Sequence, residues 1–409
     1  MKIKPFGAKS LAFIKTPWRE QARINILEGS VRSSKTVTLH PKTLELVYDG
    51  PQGLGIFTGV SKDTIYDNVL RDLFDLIGKE NYRYNRQSGE LWLYGDEWKV
   101  VGAKDEGSEK YIRGKTIGKA ICDELSLMPE RFLKQLLARM SIENARLYGT
   151  TNPDTPFHYL YKEYITDAEK LASGMVQVYH FDLDDNPNLS EEYKSFIRSA
   201  YKGVFFQRFI LGKWVIAEGA IYKDVWSDDL YFDELPVGLI NSYPNRYIGI
   251  DYGTTNPCVF VDIIDDGETL WQVREYYWDS KKEGKQKTDS EYADDLQEFL
   301  KGGAEGAEII IDPSAASFKT ELQNRGFLVL DADNDVPDGI RIVSVVLGQR
   351  KYRVHRSCIH TAEEMQAYAW DEKAAKRGEE KPLKEHDHAP DAIRYVMKTK
   401  MHPWRLAIN

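Results

Sequence analysis

The apolar positions of the chain switch between two periods. Arg23 to Glu28 carries a strand-like run that ends in a Gly- and Ser-containing loop, and helix-compatible spacing resumes at Lys35-Thr36-Val37-Thr38. Gly53 to Val60 reads as a buried strand. Residues 62–77 place Ile65, Val69, Leu73 and Leu76 on one helical face. Alternation between 82 and 103, punctuated by Gly89 and Gly95, predicts a β-ribbon. Lys115 to Cys122 and Ala145 to Thr150 predict two further strands. This α/β alternation predicts a mostly parallel sheet with helices on both faces.

Residues 190–215 predict a helix that ends near Gly212-Lys213-Trp214. The breakers Gly219, Pro236, Gly238 and Pro244 make 216–245 a linker. A second α/β unit begins with the apolar run Arg246 to Asp251. The predicted organisation is therefore a first domain over 1–215, a linker over 216–245 and a second domain over 246–409. No internal repeat or low-complexity segment interrupts it.

Composition narrows the class. The 409 residues suffice for two or three domains with their own cores, and 42% hydrophobic with 29% charged residues is an ordinary soluble balance. No segment approaches the ~20 apolar residues of a membrane span, and Met1-Lys2-Ile3-Lys4-Pro5 lacks the apolar core of a signal peptide. Cys122, Cys258 and Cys358 have neither zinc spacing nor a disulfide pattern, which fits a reducing cytosol. Residues 1–220 hold 31 Lys+Arg and 29 Asp+Glu, a net +2; the remainder, 24 against 35, is at −11. Global charge gives no sign of nucleic-acid binding, so such contact must use local basic grooves. The acidic half is either a solvated surface or the setting of a carboxylate metal site.

The loop Gly29-Ser30-Val31-Arg32-Ser33-Ser34-Lys35-Thr36 reads as a phosphate-binding loop between a strand and a helix. Its backbone N–H groups would cradle phosphate oxygens, Lys35 would reach the β- and γ-phosphates of ATP, and Thr36 would bind Mg2+. Ser34 stands where the motif has its second glycine. A Cβ there resists positive φ, so a differently built loop is expected. Downstream, the run Ile117 to Cys122 ends in Asp123-Glu124, interrupted by Lys119. Asp123 would serve the metal and Glu124 would orient the attacking water. Thr150-Thr151-Asn152 close another strand, suited to sensing the γ-phosphate. Gln21 could present its amide to adenine. Arg32, in the loop, and Arg113, as the reserve, are the arginines able to stabilise phosphoryl-transfer charge.

A second set lies in the acidic half. Asp251 and Asp312 each end an apolar strand, and Asp391 opens a helix in Asp387-His388-Ala389-Pro390-Asp391. Taken singly, each acid reads as a turn former or a helix-start residue. Together they can converge on two hard cations that activate water and stabilise the leaving oxygen of a phosphodiester. His388 shares the helical face of Asp391.

With these residues the chain resembles the large terminase subunit of tailed bacteriophages over nearly its whole length. The likeness rests on Gly29 to Thr36, Asp123-Glu124, Thr150-Thr151-Asn152, Asp251, Asp312 and Asp387 to Tyr395; Gly339 to Trp370 adds a helix–strand–helix segment of the family's kind. The resemblance implies an additional-strand, catalytic-glutamate ATPase followed by an RNase H-like nuclease that cuts concatemeric DNA. It implies Mg-ATP on Lys35, Thr36 and Asp123, Glu124 as catalytic base, and Thr150 to Asn152 coupling hydrolysis to movement. Asp251, Asp312 and Asp391 would hold Mg2+ or Mn2+, with His388 adjacent. The implied partners are double-stranded DNA, a portal protein, a small terminase subunit and further copies in a ring. The implied location is the cytoplasm of an infected bacterium, docked transiently on the procapsid. A helicase or other translocase would explain only the first half, and a resolvase-like nuclease only the second. A nucleotide-gated adaptor without catalysis would need Glu124 and Asp251 to be structural.

Overall fold

The computed structural model describes residues 5–236, 239, 245–301, 303–377 and 379–400. Met1 to Lys4 and the expected breakers Gly238 and Pro244 lie outside the described residues. The chain divides into two compact units, residues 1–195 with 204–216, and residues 196–203 with 217–409.

The first unit is built on eight strands: β1 (Ile24–Gly29), β2 (Leu54–Gly59), β3 (Tyr82–Asn85), β4 (Glu90–Leu93), β5 (Asp96–Gly102), β6 (Ile117–Cys122), β7 (Arg146–Thr151) and β8 (Val176–Phe181). Their order is β3-β4-β5-β2-β6-β7-β1-β8. From β5 to β8 all neighbours run parallel, and β3-β4-β5 form an antiparallel ribbon at one edge. Both faces are covered. Ile26, Ile56, Ala120 and Leu147 pack on one side with Phe132 and Leu136, while Leu27, Phe57, Ile121 and Tyr148 pack on the other with Leu39 and Leu46. That two-sided burial explains why these strands read as continuous apolar runs.

Lys119 interrupts β6 without exposing it. Its side chain is buried, its ammonium lies 2.6 Å from Asp96 and donates to the Leu46 carbonyl at 3.3 Å, and it sits over the Trp98 ring. The predicted helix 62–77 forms from Lys62 to Ile77 behind a Ser61–Thr64 capping box, with one wide π turn at Tyr66–Leu70, and stops at Gly78. The predicted helix over 190–215 is broken: Glu191–Ala200 is helical, Gly203 has φ +53°, and a separate short helical stretch follows to Ile210.

The second unit has β9 (Tyr231–Phe232), β10 (Arg246–Asp251), β11 (Cys258–Asp265), β12 (Leu270–Trp278), β13 (Glu308–Ile311), β14 (Val329–Asp331) and β15 (Tyr352–His355), in the order β14-β13-β10-β11-β12-β15-β9. The antiparallel β10-β11-β12 meander is flanked by parallel pairs. Much of the expected linker belongs to this unit. Tyr222, Val225 and Leu230 are buried, Ala220 bridges Ala369, and β9 extends the sheet beside β15. The breakers hid these apolar anchors.

Ile248 and Ile250 face the helices Asp289–Leu300 and Ala316–Asn324. The opposite face of β10 takes the last helix, His388–Lys400. Gly249 allows this: a Cβ there would collide with the Ala392 carbonyl oxygen. The close approach brings the start of that helix beside the C-terminal end of β10.

Candidate functional site

Parallel strands deliver their C-terminal ends to one edge of a sheet. In the first unit, β1, β6 and β7 are such neighbours, so the residues that follow them meet. The loop after β1 turns twice through the left-handed region, with φ +57° at Arg32 and +72° at Ser34. Ser34 therefore takes the backbone conformation that its Cβ was expected to resist, at a cost of about 1–2 kcal/mol per such residue. Lys35 opens the helix Lys35–Asp49 and is buried. Its ammonium donates to the carbonyls of Gly29 (3.2 Å) and Ser30 (2.5 Å), to Ser33 Oγ (3.2 Å) and to Asn152 Oδ1 (3.0 Å). Ser30 N–H donates to Phe181 and Val31 N–H to Phe209, which anchors the start of the loop. Thr36 lies in the first helical turn, half-buried, and Arg32 is exposed.

Glu124 also holds a left-handed backbone, φ +54°. Asn152 Nδ2 donates to its two carboxylate oxygens at 3.1 and 3.2 Å, and Thr150 Oγ1 accepts from its N–H. Asp123 accepts from Thr150 Oγ1 at 3.0 Å and from Asn68 Nδ2 at 3.1 Å. Thr151 Oγ1 accepts from Ser126 N–H. Burial lowers the Lys35 pKa against the pull of Glu124, Glu28 and Asp123. Burial, then the neighbouring Asp123 charge, raises that of Glu124. The structure thus brings Lys35, Asp123, Glu124, Thr150 and Asn152 together.

Gln21 is a correction. Its Nε2 donates to the Phe13 carbonyl and its Oε1 accepts from Tyr148, so both ends of the buried amide are committed inside the fold. Arg113 stands apart from Lys35 and Glu124 in its bonding: with Arg131 it pairs to the buried Glu109, lining an open cleft with Glu130, Lys134 and Gln135. Local pattern marked neither Asn68, which lies inside a helix, nor Glu28. The Glu28 carboxylate at the end of β1 accepts from Trp214 Nε1 (2.9 Å) and lies 2.7 Å from His180 Nδ1.

In the second unit, β10 and β13 are parallel neighbours, with Ile250 opposite Ile311, so Asp251 and Asp312 emerge side by side. The Tyr395 hydroxyl lies 3.1 Å from Asp312 Oδ2 and 3.5 Å from Asp251 Oδ1. His388 Nδ1 is 2.8 Å from Asp251 Oδ2. Asp312 also accepts from Asn334 Nδ2 and, at 2.7 Å, from Ser314 N–H. Asp391 is buried; its Oδ1 faces Arg394 and the Tyr368 hydroxyl, and its Oδ2 lies 3.6 Å from Lys384. Burial raises the Asp251 pKa to about 6 against the His388 hydrogen bond, and the Asp391 charge adds to the rise. His388 is raised, because the hydrogen bond and charge of Asp251, with Asp387 and Glu364, outweigh burial.

The expected direct meeting of three carboxylates takes another form. Among the described residues no three His, Cys, Asp or Glu side chains are grouped closely enough to hold one ion. Tyr395, Asn334 and Arg394 instead link the acids into one network, because uncompensated carboxylates repel. Tyr395 and Arg394 were visible only as parts of the motif, and Asn334 not at all. Among the described residues no helix is long and apolar enough to cross a membrane.

Comparison with known proteins matches this architecture. Residues 71–229 fit the family model of the terminase large subunit, T4likevirus-type, N-terminal. The large terminase of a thermophilic bacteriophage is 35% identical over 97% of this chain and all of that one, with a TM-score of 0.88. The same phage protein in complex with ADP gives 35%, the same coverages and 0.87. Its complex with ATP-γ-S gives 34% over 96% of this chain and 98% of that one, with 0.85. A comparison with curated protein sequences gives no match. A likeness of this identity over almost all of both chains places the protein in the large terminase family, whose members are ATPases of phage DNA packaging.

Proposed function

We propose that the first unit hydrolyses ATP to drive double-stranded DNA into a procapsid, and that the second cuts the concatemer by metal-dependent phosphodiester hydrolysis. The observation that carries the reading is the meeting of Lys35, Asn152 and Glu124 at adjacent strand ends. The strand order agrees with an additional-strand ATPase, since β7 lies between β1 and β6. The ADP and ATP-γ-S complexes of the thermophilic phage relative support nucleotide binding here. The loop from Gly29 through Ser30, Val31, Arg32, Ser33 and Ser34 to Thr36 would surround the phosphates. Lys35 would exchange its loop carbonyls for phosphate oxygens, Thr36 and Asp123 would hold Mg2+, and Glu124 would orient water. Thr150, Thr151 and Asn152 would transmit the change. Gln21 has no part in it.

In the second unit, of RNase H-like type, the donors are hard carboxylate oxygens, which suit Mg2+ or Mn2+. Asp251, Asp312 and Asp391 would hold the ions, and His388 would orient Asp251. Bound divalent cations supply activation of water and stabilisation of the leaving oxygen. The portal protein, the small terminase subunit and a ring of copies complete the proposed assembly in the host cytoplasm.

The test uses the full chain. Lys35→Ala should lose nucleotide binding, and Asp251→Asn should lose plasmid nicking and linearisation in Mg2+ or Mn2+. ATP turnover with no cutting would favour a helicase-type translocase, and cutting with no turnover a resolvase. Loss of neither activity in these variants would reject the residue assignment.

A further inference from the structure

We propose that Arg394 is a positioning residue of the nuclease site: seated on Gly339, its guanidinium fixes the orientation of Asp391 and ties it to Asp312 through Asn334. The inference rests on the nuclease reading of those carboxylates. Arg394 is among the largest fully buried side chains, 1% exposed. A buried cation is costly unless its donors are well used, and here each of the three nitrogens has a partner. Nε and Nη2 lie 3.2 and 3.1 Å from Asp391 Oδ1, and Nη1 donates to Asn334 Oδ1 at 3.0 Å. Asn334 turns its other end to Asp312 Oδ2. One planar fork therefore sets the relative placement of two acids that come from different elements.

The seat is as specific as the fork. Gly339 lies in the first turns of the helix Val336–Gly348, and a Cβ there would sit 2.7 Å from both Cγ and Cδ of Arg394. Glycine costs a helix interior up to about 1 kcal/mol relative to alanine. Here it leaves room for the arginine stem. With Asp391 Oδ1 taken by Arg394 and Tyr368, the Oδ2 lobe remains the one turned towards Lys384 and able to ligate. Groups that hydrogen-bond a ligating carboxylate in this way typically govern metal affinity by a factor of about 10–100.

Mn2+ binding to the full chain, measured by calorimetry and by electron paramagnetic resonance, tests this in wild type, Gly339→Ala, Arg394→Lys, Arg394→Gln and the double variant Gly339→Ala/Arg394→Gln. Each single variant should bind Mn2+ roughly tenfold or more weakly. The double variant should be no weaker than Arg394→Gln, because the Cβ acts only through the arginine. Lysine keeps the charge but lacks the fork; wild-type affinity in Arg394→Lys would reduce Arg394 to a counter-charge and overturn the proposal. Wild-type affinity in Gly339→Ala, or additive losses in the double variant, would also overturn it while leaving the nuclease reading intact. Absence of Mn2+ binding by wild type would sink that reading and the inference with it. Should Gly339→Ala not unfold cooperatively, Arg394→Lys decides.

Discussion

Asn152 holds both carboxylate oxygens of Glu124, at 3.1 and 3.2 Å, through a single amide nitrogen. The same side chain accepts from Lys35 with its oxygen. Asn152 therefore joins Lys35 at one end to Glu124 at the other, the two residues proposed to bind phosphate and to orient water. Movement of the Lys35 ammonium onto a phosphate would free Asn152 Oδ1 and change the hold on Glu124. Asn152→Ala should lower kcat by about 10–100-fold with a much smaller change in nucleotide affinity, if the asparagine supplies orientation worth one or two charge-assisted hydrogen bonds. Single-turnover hydrolysis alongside ATP-γ-S binding separates the two. Equal losses in both would make Asn152 a binding residue.

Glu124→Gln should preserve nucleotide binding and remove turnover, by about 100-fold or more, the usual contribution of a positioned base. The amide keeps the shape of the side chain but loses the carboxylate that Asn152 holds at 3.1 and 3.2 Å. Full turnover in this variant would reject the assignment.

Arg32→Ala should depress packaging-coupled ATPase far more than nucleotide affinity. Arg32 is exposed, in a positive-φ turn of the loop after β1; if that loop holds phosphate as proposed, this planar cation would meet developing phosphate charge from its own subunit or a neighbour. Arg113 is engaged by Glu109, beside Arg131. If only Arg113→Ala reproduces the defect, Arg113 is the arginine that stabilises the phosphoryl-transfer charge, and Glu109 is what holds it in place.

What could be read in the sequence followed from periodicity and chain order. The α/β alternation, the ribbon at 82–103 and the strand ends carrying Asp123, Asp251 and Asp312 needed only local pattern. The end of the first unit near 216 was legible, but 216–245 read as a linker because Gly219 and Pro236 advertise turns while Tyr222, Val225 and Leu230, too sparse to show a period, anchor the segment to the second unit. Ser34 misled because φ preference is a local energy of about 1–2 kcal/mol, which helix, strand and buried Lys35 together outweigh. Gln21 misled because a polar residue beside a strand says nothing of its partner; only the fold puts Phe13 and Tyr148 against it. Asn68 and Asn334 were illegible for the same reason, their contacts joining segments remote in sequence; Arg394 stood in the motif three residues from Asp391, but its tie to Asn334 was hidden.

Asp251→Asn should abolish DNA cleavage and, in EDTA at neutral pH, stabilise the fold. Burial raises the carboxyl to about 6 from the ordinary 3.8. Between these values the folded chain keeps a proton that the unfolded chain has lost, so stability falls as pH rises through that window. Above about pH 6 the ionised, buried carboxylate costs up to roughly 3 kcal/mol, at about 1.4 kcal/mol per pKa unit. Asparagine carries no such penalty, and its carbonyl oxygen can still accept from His388 Nδ1. Denaturant midpoints should therefore separate as pH rises from about 4 to 7, the variant being the more stable at the upper end, provided the His388 contact survives. His388→Ala should impair cleavage less than Asp251→Asn, because in the proposed site the imidazole, 2.8 Å from Asp251, orients that carboxylate and would not itself be a required ligand. Plasmid nicking and linearisation measure the loss of cutting. Undiminished cutting by Asp251→Asn, or cutting that persists in excess EDTA, would remove Asp251 from the metal site, whatever the stability curves show.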